Sequence, residues 1–300
     1  MQQVVVAWNP AAGESGPFPR SARRARLAGM EIPCHVVDAF ARRPFEGNPA
    51  AVCVLEAFLD EGTMQSIAAE NALSETAFVV RRDDGDHDLR WFTPAHEVDL
   101  CGHATLATAH VLRHVVGDRR GELRFHSRSG LLIVHAREDR FTLDFPSRPP
   151  IPSEAPRGLL DALGLSQDEQ RGAEILRSRD LVVVLASAAR VRALTPDLGA
   201  IGAMDSLFAV CVTARGDGRD DDVDFVSRFF APREGVPEDP VTGSAHCTLA
   251  PLWGARLDKS VLRARQVSAR SGELVCTLAG ERVLLEGTAV LVKRGTFLLP

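Results

Sequence analysis

The chain has 300 residues, of which 45% are hydrophobic and 25% charged, with a formal net charge of −5. That is the balance of an ordinary soluble globular protein, long enough for about two domains. The acidic balance gives no electrostatic reason to expect a nucleic-acid or anionic-membrane partner, and no apolar run reaches the roughly 18 residues that a membrane-spanning helix needs.

Residues 1–29 differ from the rest. Their "GESGPFPRSARRARLAG" is rich in Gly, Pro, Ser and Arg and has little to bury, so it reads as a disordered or extraneous extension, compatible with an upstream start codon. A transit peptide fits less well, because "VVVAW" comes first and Glu14 interrupts the basic stretch. From Met30 onward, short β-rich runs follow one another: "HVVDAF", "AAVCVLE", "TAFVVRR", "LRWFT", "ELRFH", "LLIVHA" and "RFTLDFP", then "DLVVVLA", "SLFAVCVTA", "VDFVSRFF", "QVSARSG", "ELVCTLA" and "RVLLEGTAVLVKR". Helical patterns are fewer, near 60–72, 103–116, 156–164, 195–203 and 244–257. Pro251 lies inside the last and predicts a kink there. The "ARGDGRDDD" of 214–222 reads as a hairpin-like surface loop, since its glycines lack the strand-loop-helix setting of a nucleotide fingerprint. The cysteines, Cys34, Cys53, Cys101, Cys211, Cys247 and Cys276, are scattered, with no C-x-x-C pair. They read as buried free thiols in a reducing compartment, which points to the cytoplasm and gives no metal cluster by spacing.

The chain repeats itself. "FTPAHEVDLCGHATLATAHVL" from Phe92 and "FFAPREGVPEDPVTGSAHCTLAPLW" from Phe229 both carry Phe-x-Pro, an acidic turn-like loop, Gly-x-Ala and an Ala/Leu-rich helix. Their glycines, Gly102 and Gly243, lie 141 residues apart, about half of the chain after Met30. The expected fold is therefore α/β (α+β): two pseudo-symmetric halves, each a curved mixed sheet or barrel around one central helix. The expected boundaries are 30–129 and 130–283, with 284–300 a C-terminal strand free to return to the first half. Both Gly-initiated helices are apolar nearly all round, as "ATLATAHVL" shows, so both are expected to be buried. Buried helix starts present unpaired backbone N–H groups, and two of them facing one cleft would bind a small carboxylate-bearing metabolite.

Several residues offer chemistry. Glu75, in "NALSETAFVV", stands at the entrance to an apolar strand, where desolvation disfavours the charged form and favours general acid/base use; an exposed strand-end carboxylate is the plain alternative. His103 is either a second acid/base or a structural hydrogen-bonding residue. Asp239, before Pro240, either caps a turn or holds a substrate ammonium. Cys101 would serve as a racemase base only with a thiolate partner facing it.

With these stretches in view, the sequence resembles the PhzF family of phenazine-biosynthesis-like isomerases, which shares the diaminopimelate epimerase fold. The resemblance rests on "VDAFARRPFEGNPAAVCVLE", "NALSETAFVV", "FTPAHEVDLCGHATLATAHVL", "RFTLDFPS" and "FFAPREGVPEDPVTGSAHCTLAPLW". It implies a cofactor-independent isomerase that moves a proton within a small carboxylic acid. It places the acid/base role on Glu75, substrate-contacting roles on His103 and Asp239, and the substrate carboxylate on the amides of Gly102, His103, Gly243 and Ser244. The racemases of this fold use two facing cysteines; Cys101 matches the first place, and the second motif here has none. Two other readings stay open: a one-cysteine racemase, epimerase or dehydratase of proline-like substrates, and a metabolite-binding member without turnover. A homodimer is one assembly compatible with the resemblance.

Overall fold

The computed structural model describes residues 29–217 and 223–299; the expected extension up to residue 28 and the end of the 214–222 loop lie outside the described residues. Two compact units emerge. Among the described residues the first holds 29–37, 49–137 and 291–299, and the second holds 38–48 and 138–290.

The first unit runs through β1 (Met30–Ala39), β2 (Asn48–Leu55), α1 (Glu61–Asn71), β3 (Glu75–Arg81), β4 (His87–Phe92), β5 (Glu97–Val98), α2 (Gly102–Val111), β6 (Glu122–Ser127) and β7 (Gly130–Arg137). β2 and β3 are near-continuous apolar runs, as strands buried on both faces must be. They pair in parallel, with Ala50 opposite Glu75. β4 runs antiparallel to β3 and parallel to β6, and β6 turns back on β7. That hairpin carries the unit to Arg137, past the boundary expected at 129. Asp60 starts α1 by accepting the N–H of Thr63 at 3.0 Å, and Ala72 ends it in a left-handed conformation. Met64, Ile67 and Ala68 of α1 pack on Ala51, Cys53, Phe78 and Phe92. α2 is buried at every position from His103 to Val111 and packs on β3 and β7. A π-helical turn, Leu112–Val116, continues it.

The second unit contains β8 (Arg140–Pro146), β9 (Ile151–Pro152), α3 (Leu159–Ala162), α4 (Gln167–Gly172), β10 (Glu174–Arg177), β11 (Leu181–Val184), α5 (Ala188–Arg192), α6 (Leu198–Gly202), β12 (Val210–Arg215), β13 (Phe225–Ala231), β14 (Val236–Asp239), α7 (Gly243–Leu257), β15 (Val261–Gln266), β16 (Gly272–Ala279) and the start of β17 (Arg282–Leu299). β11 is parallel to β12, β12 antiparallel to β13, β13 parallel to β15, and β15 antiparallel to β16. This is the order of directions found across β2, β3, β4, β6 and β7. The fold class is therefore as the sequence implies: mixed α/β, each half with one buried Gly-initiated helix.

Local readings needed correction. The strand expected in "QVSARSG" lies earlier, at β15, where Leu262, Ala264 and Gln266 alternate inward against exposed Val261 and Arg263. The second copy's acidic loop contains a strand, β14, that pairs with β13 across a register shift. α4 and α5 carry no long apolar stripe and were not foreseen. Pro251 lies inside α7, as the sequence indicates. Proline removes the N–H that Cys247 would accept, and the N–H of Arg148 takes that carbonyl instead, at 2.9 Å. All of the cysteines are free and buried. Among the described residues no helix is long and apolar enough to cross a membrane.

Candidate functional site

Glu75 opens β3, three residues after the left-handed Ala72 that ends α1. Alternation along the strand sends Thr76 and Phe78 toward α1, where Asn71 donates to the Thr76 hydroxyl at 3.0 Å. Glu75 points to the other face, where α2 begins. Its Oε2 lies 3.0 Å from Nε2 of His103, an ion-pair contact in which that buried oxygen has no partner aligned as a hydrogen bond. Cys101, the extended residue before α2, makes no side-chain cap. Its sulfur sits 3.5 Å from Nδ1 of His103.

Electrostatics sorts these groups. Burial opposes a charge on His103, but the Glu75 carboxylate 3.0 Å away favours the imidazolium, and the group sits above its usual range. Burial, and then the Glu75 charge, push the Cys101 thiol up, so at neutral pH it stays a thiol. Glu75, His103 and Cys101 thus form one cluster, whose ligand atoms lie within 4.8 Å of one another.

In the second unit the other expected residues gather at the start of α7. One oxygen of Asp239 accepts from Asn48 Nδ2 at 2.7 Å, and the other accepts from the Thr242 hydroxyl at 2.5 Å. Gln266 Nε2 donates to the Asp239 carbonyl at 2.6 Å, and Gln266 Oε1 accepts the Thr242 N–H at 2.9 Å. Gly243 is buried and Ser244 partly exposed. As before α2, the residue before the helix, Thr242, is extended and makes no side-chain cap. Asp239 therefore ends a strand and is held by side chains, rather than capping a free turn. Cys247 is packed one turn into the helix, with its thiol pushed by burial up to about 12.

Asn48 and Gln266 were missed by sequence reasoning. Both are fully buried amides, and each reaches Asp239 from far along the chain. The "GNPAA" around Asn48 was quoted for the resemblance, and a polar residue ahead of so apolar a strand was the signal. Also missed were two Arg–Glu pairs. Arg90 grips Glu97 with bonds of 2.7 and 2.5 Å, and Arg228 grips Glu238 with 2.7 and 2.8 Å. Each arginine sits two residues before the repeated Phe, and each glutamate five before the helix glycine, so a longer comparison of the two copies would have found them.

The family described as phenazine biosynthesis-like protein matches residues 37–295. An uncharacterized isomerase of Pseudomonas aeruginosa is 52% identical over 267 residues, covering 89% of this chain and 99% of that protein. The crystal structure of a PhzF-family phenazine biosynthesis protein from Enterococcus faecalis superposes with a TM-score of 0.83 at 47% identity, covering 89% of this chain and 99% of that one. At 10% identity, a hydroxyproline epimerase from Agrobacterium vitis shares the fold alone, with a TM-score of 0.56 over 90% of this chain and 93% of that one. Duplicated halves, uncapped buried helices and these matches together place the chain in the phenazine-biosynthesis-like, or PhzF, family of isomerases.

Proposed function

We propose that the protein is a cofactor-independent isomerase that moves a proton within a small carboxylate-bearing substrate, with Glu75 as the general acid/base. The observation that carries this is the Glu75 carboxylate itself. It is mostly buried, braced by His103 at 3.0 Å, and has one oxygen without an aligned hydrogen-bond partner. Such a group can take a proton from one carbon and return it to another, while an unsaturated substrate spreads the charge. His103 would donate to the developing anion. The amides of Gly102, His103, Gly243 and Ser244, at two helix starts with no side-chain cap, suit a carboxylate; Asp239 is assigned a substrate contact. The six free thiols fit a cytoplasmic setting.

The one-cysteine racemase is disfavoured, because Cys101 is held as a thiol and its counterpart in the second copy is Thr242. A member without turnover is distinguished by experiment. The protein is incubated in D₂O with a panel of unsaturated cyclic carboxylic acids, and proton exchange and isomer formation are followed by NMR. Glu75→Gln is expected to keep ligand affinity within about tenfold and to lose at least about 10²-fold in turnover. Near wild-type turnover in Glu75→Gln would end the assignment and pass the role to His103 or Asp239. Binding of acids with no exchange in the wild type would favour the non-catalytic reading. Cys101→Ser is expected to stay within about tenfold of wild type, since a general acid/base contribution of about 10²–10⁴ is not assigned to it.

A further inference from the structure

Glu75, Cys101 and His103 bring a carboxylate, a thiol and an imidazole to one point. On a regular helix, residues two apart do not face each other. Here they do, because Cys101 is extended (φ −142°, ψ 111°) and only Gly102 begins the helix. Nε2 of His103 lies 3.0 Å from Oε2 of Glu75 and 4.0 Å from Sγ of Cys101. The three ligand atoms all fall within 4.8 Å of one another. A tetrahedral ion with bonds of about 2.0–2.3 Å needs its ligands about 3.3–3.6 Å apart. Side-chain shifts of about 1 Å reach that arrangement from the one described. Cys101 and His103 are buried at 6% and 7% exposure, whereas the Glu75 side chain is 17% exposed and leaves a way in. The Glu75 oxygen without an aligned partner is a separate sign that the cluster has unused coordinating capacity.

We propose that these three residues form a binding site for one thiophilic divalent cation, with Zn²⁺, Cd²⁺ and Co²⁺ as the matching class, and that the ion acts as a competitor of the substrate and not as a cofactor. Thiolate, imidazole and carboxylate together favour such ions over Mg²⁺ or Ca²⁺, which take oxygen ligands. Binding exchanges the Cys101 S–H bond for a metal–sulfur bond and an N–H bond of the His103 imidazolium for a metal–nitrogen bond, and both protons leave to solvent with no change of oxidation state. Three protein ligands leave a fourth position for water or an anion. The competition rests on the reading of Glu75 and His103 as substrate-site residues; the binding does not. A second cluster, Asp84, Asp86 and His126, differs in kind. Its acids are already engaged by Arg82 at 3.3 Å and Arg124 at 3.4 Å, and it holds no sulfur.

The test is a titration of the full, untagged, metal-free chain with CoCl₂, followed by absorbance. One equivalent is expected to bind with a near-ultraviolet thiolate-to-cobalt band, and ZnCl₂ should displace it. Cys101→Ser should lose the band. Glu75→Gln and His103→Asn should each weaken binding by at least about tenfold, since losing even an outer-shell partner of a metal ligand typically costs about 10–100-fold. Asp86→Asn should change nothing. Circular dichroism confirms that each variant is folded, and the Glu75 and His103 variants decide the matter if Cys101→Ser is not. No thiolate band in the wild type, a band that survives Cys101→Ser, or unchanged affinity in both other variants would overturn the site. Because no substrate is present, none of these outcomes bears on whether Glu75 is the acid/base.

Discussion

His246 sits fully buried one turn into α7, with Nδ1 donating to the Thr242 carbonyl at 2.8 Å and Nε2 without a partner. Burial pushes its pKa down from 6.5 to about 4. Between these values the unfolded chain binds a proton that the folded chain refuses, so stability falls as pH drops through this window. The full effect is about 3 kcal/mol. His35 and His87, lowered chiefly by burial, act in the same direction. His103 acts oppositely: its raised value adds stability below 6.5, which is lost as pH rises through the folded value. Urea unfolding from pH 7 to pH 4.5 should show a shallower acid loss in His246→Asn, which keeps a donor for the Thr242 carbonyl. A vertical offset equal at every pH would show that His246 is not the titrating group. A second residue-scale prediction concerns Gly272, where an added Cβ would lie 2.4 Å from Val241 Cγ2 and 2.8 Å from the Phe40 carbonyl. Gly272→Ala should cost about 1–3 kcal/mol, as overpacking does, whereas Gly121→Ala, with nothing within 4 Å, should be near neutral by chemical denaturation. At this scale, Glu75 and His103 were legible because short motifs carry them. The buried amides of Asn48 and Gln266 were not, because their partner at Asp239 stands 191 and 27 residues away, and no local pattern reports a contact of that kind.

Each strand-turn-strand passage leading into a buried helix is tied by its own arginine. Arg90 of β4 grips Glu97 of β5 and lies over Phe92, 5.2 Å from the ring centre. Arg228 of β13 grips Glu238 of β14 and lies over Phe230 at 5.0 Å. Glu97 also holds Arg128 at 2.6 Å, and its side chain is 5% exposed, against 21% for Glu238. Removing one member of a buried pair strands the other charge, at a cost of about 3–5 kcal/mol. Glu97→Ala should therefore fall in that range by urea unfolding, and Glu238→Ala below it, because solvent screens the more open pair. Equal costs would mean that burial does not set the difference. The strands of this fold were legible where apolar runs are unbroken, as in β2, β3, β11 and β16. β15 was not, because the arginines alternating through "VLRARQ" conceal a strand with one dry face. β5 and β14 are too short for any period to register, although the Arg–Glu ties show what keeps them in place.

The duplicated architecture was the most legible property of the molecule, because two copies of one motif at half-chain spacing constrain topology in a way that single elements do not. The expected cut at 129 fell short because nothing in "RSGLLIVHAR" marks β7 as the partner of β6 rather than the start of something new. The stretch up to residue 28 is rich in Gly, Pro, Ser and Arg and offers little to bury. A chain starting at Gly29 should accordingly melt within about 3 °C of the full chain, a stability change of about 1 kcal/mol; a larger drop in a thermal melt would give the first 28 residues a part in folding. β17 is the feature with the widest reach. Its start pairs with β8 and β16 in the second unit, and residues 291–299 belong to the first, where the carbonyl of Leu299 accepts the N–H of Gly29 at 2.9 Å. Among the described strands β1 is the first to be synthesised, and β17, with which it pairs, is the last. Domains of a growing chain generally fold as they emerge, N-terminal first. Here the first unit keeps one sheet edge open until residues 291–299 have been translated, so a chain stopped before residue 291 would leave the earliest half, not the latest, unfinished.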